Sequence, residues 1–294
     1  MKHAILGAGA IGGLVGAALA SLGEDVTVIV RPDKLSEYPR NLTLERPSGT
    51  ITAPANAVAT LTEPVDVLWI ATKTYQLQAA LESVKSSPAL VVPLLNGVDH
   101  LEVLRARFGR DHVVSATIAV EAERVAPGQF VQRSPFVRLN LAASAEPTLG
   151  AIVARLSAIG FACQFMRNEQ TLLWSKLCFL APFALVTSAS GKNAGEVLAD
   201  AECKHTLDAT VAEACAVAKA SGAELDMAKL QAVFASLPPA MRSSMQKDVA
   251  AKRELELDAI GGPIVRGGER HGIDVSTTKG LMDAIRAKDT AGSA

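Results

Sequence analysis

A glycine loop near the N-terminus constrains this chain more than any other feature. Gly7-Ala8-Gly9-Ala10-Ile11-Gly12 follows the short apolar run Ala4 to Leu6 and opens a helical stretch, Ile11 to Ser21. In such a strand, turn and helix the first glycine permits the tight turn, the second lets the backbone approach a pyrophosphate, and the third allows close helix-to-strand packing. The helix N-terminus offers unpaired N–H groups to an anion, so the loop points to a dinucleotide. The plain alternative is that the glycines only pack a helix against a strand.

The second strand, Val26 to Val30, ends on Arg31, where an enzyme using NAD usually presents an acidic residue to the ribose 2′-hydroxyl. A guanidinium there matches a 2′-phosphate, which points to NADP(H), and Lys34 adds to the same pocket. An exposed loop arginine is the alternative. Val65 to Ile70 and Leu90 to Pro93 are further strands, apolar on both faces as in a helix-covered parallel sheet. Helices at Ile11 to Ser21, Gln76 to Lys85 and Leu101 to Phe108 alternate with them. Val113 to Val120, Gln129 to Gln132 and Phe136 to Ala142 read as added, antiparallel strands around Pro127-Gly128.

Beyond Arg167 the pattern becomes helical: Glu169 to Ala184, Ala194 to Ala220, Ala228 to Ser236 and Met241 to Ile260. The expected fold is therefore α/β, an N-terminal Rossmann-type doubly wound parallel sheet (1–166) followed by an all-α domain (167–294), with substrate chemistry between the halves.

Composition narrows the function further. With 29 Lys plus Arg against 30 Asp plus Glu and 4% aromatics, neither a basic face nor a stacking platform for nucleic acid is evident. Hydrophobic residues at 49% argue against disorder. The four cysteines form no CxxC pair and the five histidines are scattered, so no metal site is expected and the thiols read as reduced, in a cytoplasmic protein. Lys2, the apolar run Ala4 to Ala20 and Ala18-Leu19-Ala20 imitate a secretory signal. Glycines at 7, 9, 12, 13 and 16 would weaken such a helix, and Asp25 to Val30 would lose its partner strand on cleavage. No other uncharged apolar run reaches membrane-spanning length, so no membrane partner is expected.

Taken together, the loop, Arg31, Lys73 in Ala71-Thr72-Lys73-Thr74-Tyr75-Gln76 and Asn96 in Leu94-Leu95-Asn96-Gly97-Val98 resemble the ketopantoate reductase family. Leu173-Trp174-Ser175-Lys176-Leu177, Ser243-Ser244-Met245 with Asp248, and Glu256 through Gly262 extend the likeness, as does Ala122-Glu123-Arg124. The resemblance implies NADP(H)-dependent reduction of 2-dehydropantoate or a related small 2-oxo acid. It places Gly7, Ala8, Gly9, Ala10, Ile11, Gly12, Arg31, Lys73, Asn96, Ala122 and Glu256 at the cofactor. Asn96, Lys176 and Ser244 meet the substrate; Lys176 is the proton donor, and Glu256 holds Lys176 or the ribose. A helix N-cap is the alternative role for Ser244. Ser244-Met245-Gln246-Lys247 also spells S-x-x-K, but no S-D-N or K-T-G follows, and the match reads as coincidence.

The chain departs from the family where relatives place asparagines four and eight residues after the lysine; here stand Leu180 and Ala184. That spacing puts both on one helical face with Lys176, predicting an apolar wall that suits a 2-oxo acid without a terminal hydroxyl. A third family asparagine survives as Asn193 or is lost as Ala194, and Pro182 predicts a bend or break. A non-catalytic NADP(H)-binding sensor or interaction protein remains the competing reading. The alanine-rich helix near 210 to 220 fits a homodimer seam or a core equally well.

Overall fold

A computed structural model describes residues 1–291 of the chain. It divides into two compact units, one of Met1–Leu95 with His100–Arg167, the other of Asn96–Asp99 with the chain from Asn168 onward.

The first unit runs β1 (Lys2–Leu6), α1 (Ala10–Ser21), β2 (Asp25–Ile29), β3 (Asn41–Arg46), β4 (Gly49–Pro54), β5 (Asn56–Val58), β6 (Val67–Ile70), α2 (Leu77–Leu81), β7 (Leu90–Pro93), α3 (His100–Phe108), β8 (Ala116–Ala119), β9 (Ala122–Ala126), β10 (Gln129–Gln132), β11 (Val137–Ala142), α4 (Glu146–Ala158) and β12 (Phe161–Met166). Five strands form an all-parallel sheet in the order β5-β2-β1-β6-β7. Ala4, Ile5, Val67, Leu68, Trp69 and Ile70 are wholly buried, as a sheet covered on both faces requires. Strand order reverses at β1 and β6, and the glycine loop leaves β1 at that point.

Two smaller sheets complete this unit, β4-β3-β10-β9 and β12-β11-β8. Both are mixed: β3 pairs β10 and β11 pairs β12 in parallel, against the expectation of antiparallel strands alone. Residues 41–58 and 146–166 carry elements that the sequence reading left unassigned. Helix 76–85 is also shorter than expected, because α2 stops at Leu81. Beyond it the backbone pairs with Leu61, whose N–H donates to the Ser83 carbonyl (2.8 Å) while its carbonyl accepts from Lys85 (2.9 Å).

The second unit contains α5 (Glu169–Ser190), α6 (Ala194–Ala199), α7 (Ala201–Ala220), α8 (Met227–Ala235), α9 (Ser244–Ala250), α10 (Leu257–His271) and α11 (Ser276–Ala291). Asn168 caps α5 by accepting from Thr171 N–H at 3.0 Å, and Gly191 ends it in the left-handed region. The helix continues through Pro182 without interruption, six residues past the expected Ala184. By length and composition α5 could cross a membrane, a possibility obscured in the sequence by Lys176 within it; 72% of its most apolar stretch is buried in the protein. The single helix expected over 194–220 is two, because Asp200 ends α6 and caps α7, accepting from Cys203 N–H at 2.9 Å. That expected over 241–260 is likewise two. Lys252, at a φ of 51°, turns the chain between α9 and α10, and Arg253 is held by Asp248 at 2.7 Å.

Candidate active site

In the first unit the loop is a backbone device. Gly7 has a φ of 100°, and a Cβ there would lie 2.7 Å from the Ala71 carbonyl carbon and the Thr72 nitrogen, so the loop lies flush against the segment leaving β6. A Cβ on Gly9 would meet nothing within 4 Å, which leaves that face open to a ligand. Gly9 supplies no side-chain cap to α1, so N–H groups of its first turn remain available to an anion. Ala8 and Ile11 pack against the core of this unit, and Ala10 begins α1. Thr72 Oγ1 is buried with no hydrogen-bond partner among the described residues. A cradle that a Cβ would fill and a buried, unpaired hydroxyl beside it fit a dinucleotide's pyrophosphate and ribose.

Arg31 follows the end of β2, its side chain 76% exposed and 3.6 Å from Asp33. Lys34, also exposed, reaches Glu37 at 3.4 Å. Lys73 stands before the turn Thr74–Gln76, and Ala122 begins β9.

In the second unit three of the expected residues meet. Lys176 Nζ on α5 donates to Asn96 Oδ1 at 3.0 Å, and Asn96 Nδ2 donates to Glu256 Oε2 at 3.1 Å. Both ends of one amide are thereby used, which fixes its orientation between the cation and the anion. Glu256, immediately before α10, is buried. Burial pushes the Lys176 ammonium down to about 8, with Glu256 opposing the shift. A lysine so placed carries its proton at neutral pH and parts with it more readily than a solvated one.

Other expectations are redistributed. Ser243, not Ser244, caps α9, accepting from Gln246 N–H at 3.1 Å and meeting Thr187 Oγ1 at 2.8 Å. Ser244 is exposed on the first turn. Leu180 is half-buried, but Ala184 is fully enclosed in the apolar core with Leu185 and Ala214, so it forms no open wall beside Lys176. Asn193 caps α6 in a reciprocal box with Glu196, at 3.0 and 2.8 Å.

The sequence reading missed Asp99, Asp258 and Arg266. Arg266 Nε and Nη2 donate to Asp99 Oδ2 at 3.1 and 2.5 Å, and its Nη1 donates to Asp258 Oδ1 at 2.9 Å. Asp258 stands eight residues before Arg266 on α10, a same-face spacing that could have marked the pair, but no period links Asp99 to an arginine 167 residues along the chain.

The model of a family described as ketopantoate reductase PanE/ApbA matches residues 3–145, and that of its C-terminal domain matches 168–289. The 2-dehydropantoate 2-reductase of Caulobacter vibrioides is 32% identical over 284 residues, covering 92% of this chain and 93% of that protein. Among solved structures, a PanE/ApbA family ketopantoate reductase from Ralstonia eutropha JMP134 aligns over 100% of both chains at 25% identity, with a TM-score of 0.88. D-mandelate dehydrogenase with NADH and anilino(oxo)acetate also aligns over 100% of both chains with a TM-score of 0.88; at 23% identity this is a likeness of fold.

Proposed function

The chain belongs to the ketopantoate reductase family, and on that premise we propose that it reduces the carbonyl of a small 2-oxo acid with NADPH, Lys176 giving the proton. Ketopantoate is the reference substrate by kinship. Residues 1–166 act as the nucleotide-binding domain and 167–294 as the substrate and catalytic domain, in a cytoplasmic enzyme that pairs as a homodimer.

The observation that carries this reading is the chain of contacts Lys176–Asn96–Glu256. NADPH, when bound, supplies a hydride to the carbonyl carbon. The glycine loop would hold its pyrophosphate with backbone N–H groups, Thr72 would offer the hydroxyl that is unpaired among the described residues, and the exposed Arg31 would meet a 2′-phosphate. Lys73, before the Thr74–Gln76 turn, and Ala122, at the start of β9, would line the same nucleotide. Lys176 first stabilises the negative charge growing on the carbonyl oxygen, then transfers a proton from Nζ to it, so that the alcohol forms and the amine is left neutral. Asn96 orients that amine, and Glu256 keeps it charged until the step begins. Ser244 receives the substrate carboxylate. Leu180, where relatives offer an amide, leaves a substrate hydroxyl without that partner and favours 2-oxo acids lacking it.

The test is NADPH and NADH consumption by the purified protein with ketopantoate and with aliphatic and aromatic 2-oxo acids. Turnover with NADPH of at least one of them is expected, with acids lacking the hydroxyl equal to or better than ketopantoate. NADPH binding without turnover of any would overturn the enzyme in favour of a nucleotide-binding sensor.

A further inference from the structure

We propose that Arg266 is a positioning residue that bolts the segment carrying Asn96 to the helix that begins beside Glu256, and so sets the geometry at Lys176; this rests on the reduction proposed above. Asn96–Asp99 is a four-residue piece of chain that packs within the second unit. Its contact with α10 is close: Gly97 has a φ of 80°, and a Cβ there would run into the Ala259 carbonyl oxygen. One end of the piece is Asn96, whose amide bridges Lys176 and Glu256. The other end is Asp99, gripped by Arg266 through two donors at 3.1 and 2.5 Å. The same guanidinium reaches back along α10 to Asp258, two residues from Glu256, at 2.9 Å.

A planar fork can hold two carboxylates at once in fixed directions, which a lysine in its place cannot. The Arg266 and Asp99 side chains are 43% and 53% exposed, and ion pairs of that exposure contribute little to stability. What the clamp supplies is the register between two short pieces of backbone that each carry one partner of the reacting lysine.

The two possible roles of Arg266 give opposite signs in one measurement. Removing a cation, and leaving Asp99 and Asp258 unpaired, makes it easier by charge alone to keep Lys176 protonated, so its titration midpoint would rise. Loosening Asn96 takes away the acceptor of the ammonium, so the midpoint would fall. Glu256 is the charged group acting on Lys176, and it remains in every variant. The experiment is a ¹³C-lysine NMR titration of the full chain without ligand, with Lys176 assigned by Lys176→Ala, beside steady-state kinetics.

Expected in Arg266→Gln are a midpoint below that of the unsubstituted protein and a kcat reduced about ten- to hundredfold, with a smaller nucleotide effect. Arg266→Lys, which keeps the charge but loses the fork, moves the same way by less. The double variant Arg266→Gln/Asp99→Asn is no worse than the poorer single one, because both break one contact. An unchanged or raised midpoint in a folded Arg266→Gln protein overturns the proposal. Should that variant fail to fold, Arg266→Lys decides by the same sign. If the unsubstituted protein reduces no 2-oxo acid, the proposed function fails, while the titration still decides the clamp.

Discussion

The candidate site of the first unit rests mainly on backbone, that of the second on side chains. At the glycine loop what matters is the absence of side chains: Gly7 against Ala71 and Thr72, and an uncapped helix start beyond Gly9. At Lys176 every partner is a side chain held in place by a different stretch of sequence, 80 residues away for Asn96 and a further 160 from Asn96 to Glu256. The first kind of site tolerates no added atom, and the second no lost hydrogen bond. A loop of this kind can bind a nucleotide with no chemistry following, so the lysine network separates an enzyme from a nucleotide-binding protein.

That contrast is sharpest in substitutions that damage one region and spare the other. Lys176→Ala should lower kcat about a thousandfold while leaving the Kd for NADPH near its original value, measured by fluorescence titration. Equal loss of binding and turnover would place the lysine in the nucleotide site instead. Gly7→Ala should do the reverse. At a φ of 100° with backbone on its outer face, the added methyl should cost about 1–3 kcal/mol of stability and abolish NADPH binding, read by thermal melting and the same titration.

Arg31→Ala should raise KM for NADPH about tenfold, as expected for one lost charge-assisted contact, and leave KM for NADH alone. An equal effect on both nucleotides would return Arg31 to the role of a surface loop arginine. With Lys176 as the proposed proton donor, reduction should weaken as pH rises above about 8, whereas oxidation of the product alcohol should strengthen. A rate–pH profile in both directions checks the crossing.

The smallest effect lies in β1, away from either site. His3 is fully buried, its Nδ1 accepting from Trp69 Nε1 at 3.1 Å, and burial holds its pKa below 6.5 despite Glu24 nearby. The unfolded chain therefore binds a proton at His3 that the folded protein resists. Stability should be unaffected by this group above about pH 6.5 and decline below it, by at most about 1.4 kcal/mol per pH unit until the folded pKa is passed. Melting curves between about pH 7.5 and 5 test this; a flat profile would mean that His3 is neutralised equally in both states.

The pattern of legibility follows the same division. The loop, the apolar strands beside it and the place of Arg31 just beyond β2 were readable because each is marked by residues close together in the chain. Lys176, Asn96 and Glu256 were reached only through likeness to a family, since a lysine on an apolar helix has no local mark of chemistry. The cap of α9, weighed only as the alternative role for Ser244, falls to Ser243, because either serine can start a helix and packing against Thr187 selects between them. Helices 194–220 and 241–260 were read as continuous since Asp200 and Lys252 interrupt them through a cap and a turn, neither of which disturbs the apolar period.

Strands β3, β4, β5, β9 and β12 and helix α4 were missed because their apolar pattern is mixed; even the short hairpin of β3 and β4 alternates only in part. Ala184 shows the limit at the site itself. Its spacing from Lys176 is a property of the sequence, yet whether it faces a substrate or the core depended on how α7 packed on α5. What the amino-acid sequence determined alone was local: a left-handed glycine, an anion-ready helix start, the change from a strand-rich to a helical pattern near Arg167. The folded chain decided which distant side chains meet, that Asn96 bridges a lysine and a glutamate and that Arg266 grips Asp99, because contacts across 80 to 167 residues are set by the packing of whole elements and by no spacing within one.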